Sequence, residues 1–315
     1  VTIAAEALRK RFGDKTALDG VDLAVAEGTV HGVLEPNGAG KTTAVRILTT
    51  LLRPDAGHAT VAGFDVRRSP GEVRAHIGLV GQHAAVDEVL SARQNLELFG
   101  RLYHLSGSRA RVRAEELLTR FGLADTGKKP VKQFSGGMRR RLDLAASLIL
   151  RPRVLFLDEP TTGLDPRGRN EVWEAVRSLV REGTTVLLTT QYLDEADQLA
   201  SAVSVIDHGR VIAEGSPATL KSRLGGDRLD VVLHDVAELP RAAEVVAAVT
   251  DAVAETDEDD RRVSAQVSDP LAALANAVHA LRAAGLAVED VTLRRPTLDE
   301  VFLHLTGDRK EGVPA

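Results

Sequence analysis

Ten residues, Leu34-Glu35-Pro36-Asn37-Gly38-Ala39-Gly40-Lys41-Thr42-Thr43, constrain this chain more than any other stretch. They follow a short apolar run, Val30 to Leu34, and lead into a helical pattern, Ala44-Val45-Arg46-Ile47-Leu48. Strand, glycine loop, Lys-Thr and helix together build a phosphate cradle from backbone. Loop N–H groups and the positive end of the helix dipole converge on an anion. The lysine adds a mobile cation for the outer phosphates, and the Thr42 hydroxyl can ligate Mg²⁺. One position departs from the pattern: where such a loop begins with glycine, this chain has Glu35. Glycine there avoids steric conflict and leaves room for the phosphates. A glutamate charge ~6–8 Å from a triphosphate is unfavourable by about 2–3 kcal/mol before screening, whereas a side chain swung outward leaves the cradle functional. Gly40-Lys41-Thr42 alone arises by chance in roughly one chain in ten of this length, so the remaining sequence must confirm it.

Composition first removes alternatives. A chain of 315 residues can bury a substantial core in one large domain or two. Its net charge of −5 gives no global basic field, so nucleic acid is not an expected partner. Cysteine is absent, which excludes disulfides and thiolate metal sites. The nine histidines are scattered, and the closest pair, His76 and His83, argues against a histidine metal site. No apolar run approaches the ~18 residues of a membrane helix, and Val1 to Lys10 lacks the apolar core of a signal peptide. The expectation is a cytosolic protein, or one docked on a membrane through something else.

Along the chain, Val1 to Ala5 and Val21 to Val25 read as short strands around a basic loop, Arg9 to Gly13. That loop holds Phe12, either a core anchor or a flat surface on which an adenine ring can stack. After the glycine loop, a helix is predicted to about Leu52, ended by Arg53-Pro54-Asp55-Ala56-Gly57. Short strands are predicted at His58–Val61 and Ile77–Val80. From Ser91 to Leu150 the pattern is helical, with apolar faces at Leu96, Phe99 and Leu102 and at Leu117, Leu118 and Phe121. Strands return at Val154–Leu157, Thr184–Thr189 and Val203–Ile206, separated by helices. The fold class is therefore α/β, a doubly wound parallel sheet with a helical subdomain inserted at about 91–150. Ligands of such sheets sit at the carboxyl ends of the strands, where all the candidate chemistry lies.

After Gly225-Gly226 the character changes. Strands at Leu229–Leu233, Ala252–Glu255, Val263–Val267 and Ala287–Leu293 alternate with helices at Pro240–Val249 and Pro270–Ala284. This β-α-β-β-α-β order is that of a ferredoxin-like module. The expected domains are residues 1–225, carrying the chemistry, and an accessory domain, 226–315.

Three further constellations accompany the glycine loop. Asp158-Glu159-Pro160 ends an apolar strand, where adjacent carboxylates are unfavourable unless paired. A Mg²⁺-nucleotide would supply the partner, with Asp158 holding the metal and Glu159 polarising the attacking water; a polar strand end at the surface is the plainer reading. Gln82, after the Ile77–Val80 strand, is either a surface glutamine or a group that reaches Mg²⁺. Phe134-Ser135-Gly136-Gly137-Met138 opens a helix that Ser135 can cap. Capping does not explain two glycines followed by Arg139, Arg140 and Arg141. Cations in a first helical turn oppose the dipole, which is tolerable if that end faces an anion such as a nucleotide phosphate.

Together these residues, with Gly163-Leu164-Asp165, resemble an ATP-binding-cassette ATPase over about residues 1–225. The Ser-Gly-Gly signature makes the resemblance specific, since other phosphate-loop ATPases lack it. The resemblance implies a head-to-tail homodimer, in which Ser135, Gly136, Gly137 and Asp165 of one subunit close over ATP held by Lys41 of the other. It places Phe12, the residues from Glu35 to Thr43, and Gln82 around the nucleotide. It also implies Mg²⁺ held by Thr42, Gln82 and Asp158, and catalysis by Glu159, Lys41 and Gln191.

The resemblance narrows further. The family usually has histidine at the end of the strand after Leu157-Asp158-Glu159-Pro160; this chain reads Leu188-Thr189-Thr190-Gln191-Tyr192. That glutamine, the run Phe134 to Leu142, Ile206-Asp207-His208-Gly209-Arg210, and Arg294-Arg295-Pro296-Thr297-Leu298-Asp299-Glu300-Val301-Phe302 are similar to the daunorubicin/doxorubicin-resistance subfamily of drug exporters. The implied protein is a peripheral ATPase subunit on the cytoplasmic face of the membrane. Its partner would be a separate membrane permease that exports a hydrophobic drug, antibiotic or lipid. Gln191 can hydrogen-bond a γ-phosphate but cannot carry a proton as histidine can, so a slow ATPase led by Glu159 is expected. Two other classes were weighed: an ATP-binding sensor with little turnover, owing to Glu35 and Gln191, and a soluble cassette ATPase acting on ribosomes or DNA.

Overall fold

The computed structural model describes residues 1–34, 40–82, 85–223 and 226–307. The chain divides into two compact units, Val1–Pro217 and Ala218–Ala315. In chain order the first runs β1 (Ile3–Phe12), β2 (Lys15–Val25), β3 (Val30–Leu34), α1 (Lys41–Leu48), β4 (Ala56–Val61), β5 (Phe64–Asp65), α2 (Pro70–His76) and β6 (Ile77–Val80). It continues with α3 (Ala92–Leu102), α4 (Gly107–Arg120), α5 (Gly136–Ser147), β7 (Val154–Asp158), α6 (Pro166–Arg181), β8 (Thr185–Thr190), α7 (Leu193–Leu199), β9 (Ala202–Asp207) and β10 (Arg210–Gly215). Beyond the boundary helix α8 (Pro217–Ser222) come β11 (Arg228–Leu233), α9 (Leu239–Thr250), β12 (Ala254–Asp257), β13 (Arg262–Gln266), α10 (Pro270–Ala283), β14 (Val288–Arg294) and α11 (Leu298–Gly307).

The main sheet has the order β10-β9-β3-β8-β7-β6. Five of its strands are parallel and β10 joins the edge antiparallel. Strands β3, β7 and β8 are buried along their whole length, which is why they read as near-continuous apolar runs. Alternate residues of β7 serve two cores. Leu155 and Leu157 pack with Leu96, Leu117, Phe121 and Leu142 of the inserted helices. Val154 and Phe156 pack with Ile47 and Leu48 of α1 and with Ile3 and Leu8 of the antiparallel sheet. The inserted helices begin where the sequence supplies caps. Ser91 forms a reciprocal capping box with Gln94, and Ser106 and Ser135 accept from the third N–H of their helices.

The antiparallel sheet, of order β2-β1-β4-β5, corrects one expectation. Residues 9–13 form no loop: β1 continues to Phe12, paired with Lys15, and turns at Gly13. The extension carries its charges in cross-strand pairs, Arg9 with Asp19 at 3.8 Å and Lys10 with Asp55 at 2.7 Å. It has Arg9, Lys10 and Arg11 in a row, with no apolar alternation to betray it.

The second unit has the strand order β12-β13-β11-β14, every neighbour antiparallel. Leu229, Val231, Leu233, Val263 and Ala265 form one apolar face, which packs on Ala242 and Val246 of α9 and Ala277 and Leu281 of α10. This is the expected βαββαβ module with a further helix, α11, after it. Strand β12 starts two residues later than expected, because α9 runs to Thr250 and ends on Asp251 in a left-handed conformation.

Candidate functional site

Four predicted residues meet at the carboxyl ends of β7 and β8 and the start of α1. Lys41 opens α1 with 2% exposure, and its Nζ donates to the Thr190 carbonyl at 3.2 Å. It also stands 4.0 Å from Glu159 Oε1. Asp158, the last residue of β7, accepts from the Thr189 hydroxyl at 2.5 Å through Oδ1. Its Oδ2 faces the Thr42 hydroxyl at 3.5 Å. An ammonium and a carboxylate this deep are tolerable only because each has partners. Thr43 lies on the buried face of α1.

Glu159 has a backbone φ of +51°, a left-handed conformation that is uncommon outside glycine and asparagine. Its N–H donates to the Thr189 carbonyl at 2.9 Å, and Thr162 Oγ1 lies 3.4 Å from Oε2. Strain of about 1–3 kcal/mol held in place by surrounding bonds is a recurrent mark of functional positions. Gln191 follows Thr190 and is exposed, so its amide is free to reach a ligand at the strand ends. Gln82 is exposed after Gly81, at the end of β6.

Other predicted residues are held by partners elsewhere. Phe12 is 49% exposed at the end of β1, with Lys10 Nζ 5.6 Å from its ring centre. Half exposure excludes the core-anchor reading and leaves a ring face that a base can cover. Ser135 and Gly136 are exposed, and the Ser135 hydroxyl caps α5 by accepting from Met138 N–H at 3.2 Å. Gly137 is buried where α5 meets α6; a Cβ there would lie 3.4 Å from Gly168 Cα. Asp165 caps α6 by accepting from Gly168 N–H at 2.7 Å, and a Cβ on Gly168 would crowd the same carboxylate. Glu35, Pro36, Asn37, Gly38 and Ala39 lie outside the described residues, and Gly40 immediately precedes α1.

The three arginines of α5 turn to protein partners rather than to an anion at the helix start. Arg139 pairs with Glu88 at 3.0 Å, and Arg141 pairs with Glu171 at 3.3 Å. Arg140 is buried, and burial lowers its pKa despite Asp143, Glu195 and Asp158 nearby. Asp143 and Glu195, both buried, have raised pKa values for the same reason. Glu195 accepts from Trp173 Nε1 at 3.0 Å, behind the strand end that presents Gln191. Sequence reasoning gave Arg140 a phosphate as partner and passed over Asp143 and Glu195. The available signal was opposite charge at i and i+3 inside an apolar helix, Arg140 and Asp143 flanking Leu142.

The donor set suits Mg²⁺. A hydroxyl and a carboxylate facing each other beside a buried lysine are hard oxygen ligands of the kind it takes. Among the described residues no group of three or more histidines, aspartates and glutamates could hold a metal ion.

Comparison with known proteins finds two matching families. Residues 18–162 match the family described as ABC transporter, and residues 215–306 the one described as ATP-binding protein DrrA1-3-like, C-terminal domain. The chain is 64% identical over 313 residues to the daunorubicin resistance ATP-binding protein DrrA2 of Streptomyces coeruleorubidus, covering 99% of this chain and 97% of that one. It is 52% identical over 305 residues to the daunorubicin/doxorubicin resistance ATP-binding protein DrrA of Streptomyces peucetius, covering 97% and 92%. Among solved structures, a dimeric post-hydrolysis state of an ATP-binding cassette bound to ADP and Pi matches with a TM-score of 0.61 at 25% identity, over 68% of this chain and 98% of that one.

Proposed function

Because the chain belongs to the ATP-binding-cassette transporter family, among its daunorubicin/doxorubicin-resistance ATP-binding proteins, we propose that it powers export of a hydrophobic drug through a separate permease. Membership makes it an ATPase. Among the described residues no helix is long and apolar enough to cross a membrane, and this reading assigns the path for the drug to a separate permease. Attachment to that permease would hold the protein at the cytoplasmic face. The observation that carries the drug-export reading is likeness to drug-resistance proteins through both units, the C-terminal one included.

Each site residue then has a role. Lys41 binds the outer phosphates of ATP, and the sequence motif assigns the residues from Glu35 to Gly40 to the same phosphates. Thr42 and Asp158, with Gln82, hold Mg²⁺, which when bound draws charge from the phosphate oxygens. The Glu159 carboxylate takes the proton from the attacking water, with the Lys41 ammonium 4.0 Å away. Gln191 donates a hydrogen bond to the γ-phosphate and carries no proton. Phe12 stacks on adenine. Ser135, Gly136, Gly137 and Asp165 serve the nucleotide of a second copy in a head-to-tail dimer, which is consistent with Ser135 and Gly136 lying exposed.

The deciding experiment is co-purification with a membrane partner, followed by ATPase assays with and without drug. The reading requires a rate that rises with permease and rises again with transported drug. A rate indifferent to both would favour the ATP sensor, with Gln191 as its weak catalytic partner.

A further inference from the structure

We propose that Arg140 and Asp143 are positioning residues for hydrolysis. They tie the helix that begins at Ser135 to the two loops carrying Glu159 and Gln82 of the same chain. All three guanidinium nitrogens of Arg140 are engaged. Nε donates to the Pro160 carbonyl at 2.6 Å, and Nη1 to the Gly81 carbonyl at 2.7 Å and to Asp143 Oδ2 at 3.4 Å. Nη2 donates to the carbonyls of Glu159 at 3.1 Å and Asp158 at 3.4 Å. Asp143 completes the tie by accepting from Ala85 N–H at 2.9 Å through Oδ1. One planar fork thus gathers four backbone carbonyls from two separate segments, and its paired carboxylate holds a third point.

What these bonds grip is specific. The carbonyls of Asp158, Glu159 and Pro160 lie at and beside Glu159, which is in a left-handed conformation. Such a conformation persists only where its surroundings over-determine it. Here Thr189 holds the Glu159 N–H from one side and Arg140 holds three carbonyls from the other. The Gly81 carbonyl immediately precedes Gln82. Movement of α5 at its Ser135 end, where a second copy's nucleotide would bind, is therefore passed to the general base and to Gln82. This deepens the functional reading above and rests on its assignment of Glu159.

Arg113 supplies the comparison that separates positioning from mere support. It too donates to carbonyls, Leu148 at 2.6 Å and Ile149 at 3.2 Å, but beyond the far end of α5. Lysine in place of arginine keeps charge and length while losing the fork.

The test measures ATP affinity, by binding of a fluorescent ATP analogue, and kcat on the full chain with its permease, for Arg140→Lys, Asp143→Asn and Arg113→Lys. Arg140→Lys should keep ATP affinity within about threefold while kcat falls about tenfold to a hundredfold, the loss expected from misplacing a reacting group. Asp143→Asn, which retains an acceptor for Ala85, should lower kcat about three- to tenfold. Arg113→Lys should leave kcat within about twofold, even if its melting temperature drops. Full kcat in Arg140→Lys, or an equal loss in Arg113→Lys, overturns the proposal. Should Arg140→Lys fail to fold, full kcat in Asp143→Asn overturns it instead. No hydrolysis by the unmodified chain would overturn the functional reading itself.

Discussion

Arg140 in the first unit and Arg294 in the second keep opposite company. Arg140 meets four neutral carbonyls and a single carboxylate, and burial lowers its pKa. Arg294 sits between two carboxylates, donating to Asp230 at 2.5 Å and to both oxygens of Glu300 at 2.8 and 2.9 Å. Those hydrogen bonds, Glu300 first, raise its pKa further, and Arg294 in turn holds Glu300 down at about 2. Thr297 N–H also donates to Glu300, so the turn from β14 into α11 is closed on itself. The second arrangement is a latch of direct ion pairs, with Arg228 as a second cation 3.7 Å from Glu300. In the first, the fork is spent mostly on neutral carbonyls beside the site residues, with Asp143 as its one hydrogen-bonded carboxylate. One arginine closes a turn through charge, and the other fixes the backbone of loops.

The sharpest way to break this contrast is to remove the chemistry from the first unit. Glu159→Gln should lower hydrolysis by about 10²- to 10⁴-fold, the range for a lost general base, while ATP still binds. Lys41→Ala should nearly abolish both binding and hydrolysis. Neither should change hydrogen exchange in β11 or β14. A Glu159→Gln protein that hydrolyses ATP at the unmodified rate would remove Glu159 from its role.

Glu300→Gln strikes the other side with a smaller effect. Losing one member of a partly buried ion pair should destabilise the second unit by about 1–3 kcal/mol, seen as faster exchange of α11 amides, with ATP affinity unchanged. The pH dependence should differ between the two units. Glu300 has a folded pKa of about 2 against an ordinary 4.5, so its contribution is complete above pH 4.5 and is lost as pH falls toward 2. Asp143 and Glu195 are shifted upward by burial, so the folded state holds their protons more tightly than the unfolded one. Their contribution weakens as pH rises from the ordinary carboxylate range through the raised values. His31, buried in β3 with its pKa lowered to about 4, acts the other way in the same unit: its contribution is complete above the ordinary 6.5 and is lost as pH falls toward 4. The first unit should therefore respond between pH 6.5 and 4, where the second does not, and stronger acid should loosen α11. Equal pH profiles in the two units, followed by exchange, would erase the contrast.

Most of this was legible in the sequence, for physical reasons. The fully buried strands β3, β7 and β8 announce themselves as apolar runs, and Ser91, Ser135, Asp165 and Asp269 mark helix starts. Lys41, Thr42, Asp158 and Glu159 were readable because phosphate chemistry demands those groups after a strand. What escaped depended on partners distant in sequence. The β1–β2 extension is held by Arg9–Asp19 and Lys10–Asp55, and charged pairing leaves no periodicity. Arg140 looked like a cation for phosphate because carbonyls of Gly81 and Pro160 are invisible to a reading by side-chain type. Trp173 and Glu195 lie on different helices, and nothing local joins them.

The smallest predicted effect tests whether Glu35 adds an unpaired charge near the nucleotide. Every other acidic group described at the site has a cation or donor beside it: Asp158 has Thr189 and Thr42, and Glu159 has Lys41 and Thr162. Glu35 has the place of a glycine and would bring a second negative charge toward the phosphates. If it faced them, Glu35→Gly would recover the full 2–3 kcal/mol, about 30- to 150-fold in affinity. Turned outward into solvent, the charge is screened beyond about 8 Å at physiological salt, and only a residual attraction is recovered. The outward arrangement leaves Lys41, Thr42 and Asp158 as they stand, so Glu35→Gly should tighten ATP binding about two- to fivefold, with a similar rise in turnover. High salt should shrink that difference, since it acts at a distance through solvent. Titration of ATP into both proteins at two ionic strengths reads this directly. Equal affinity at low salt would make Glu35 silent, and a gain above about 30-fold would place its carboxylate against the triphosphate.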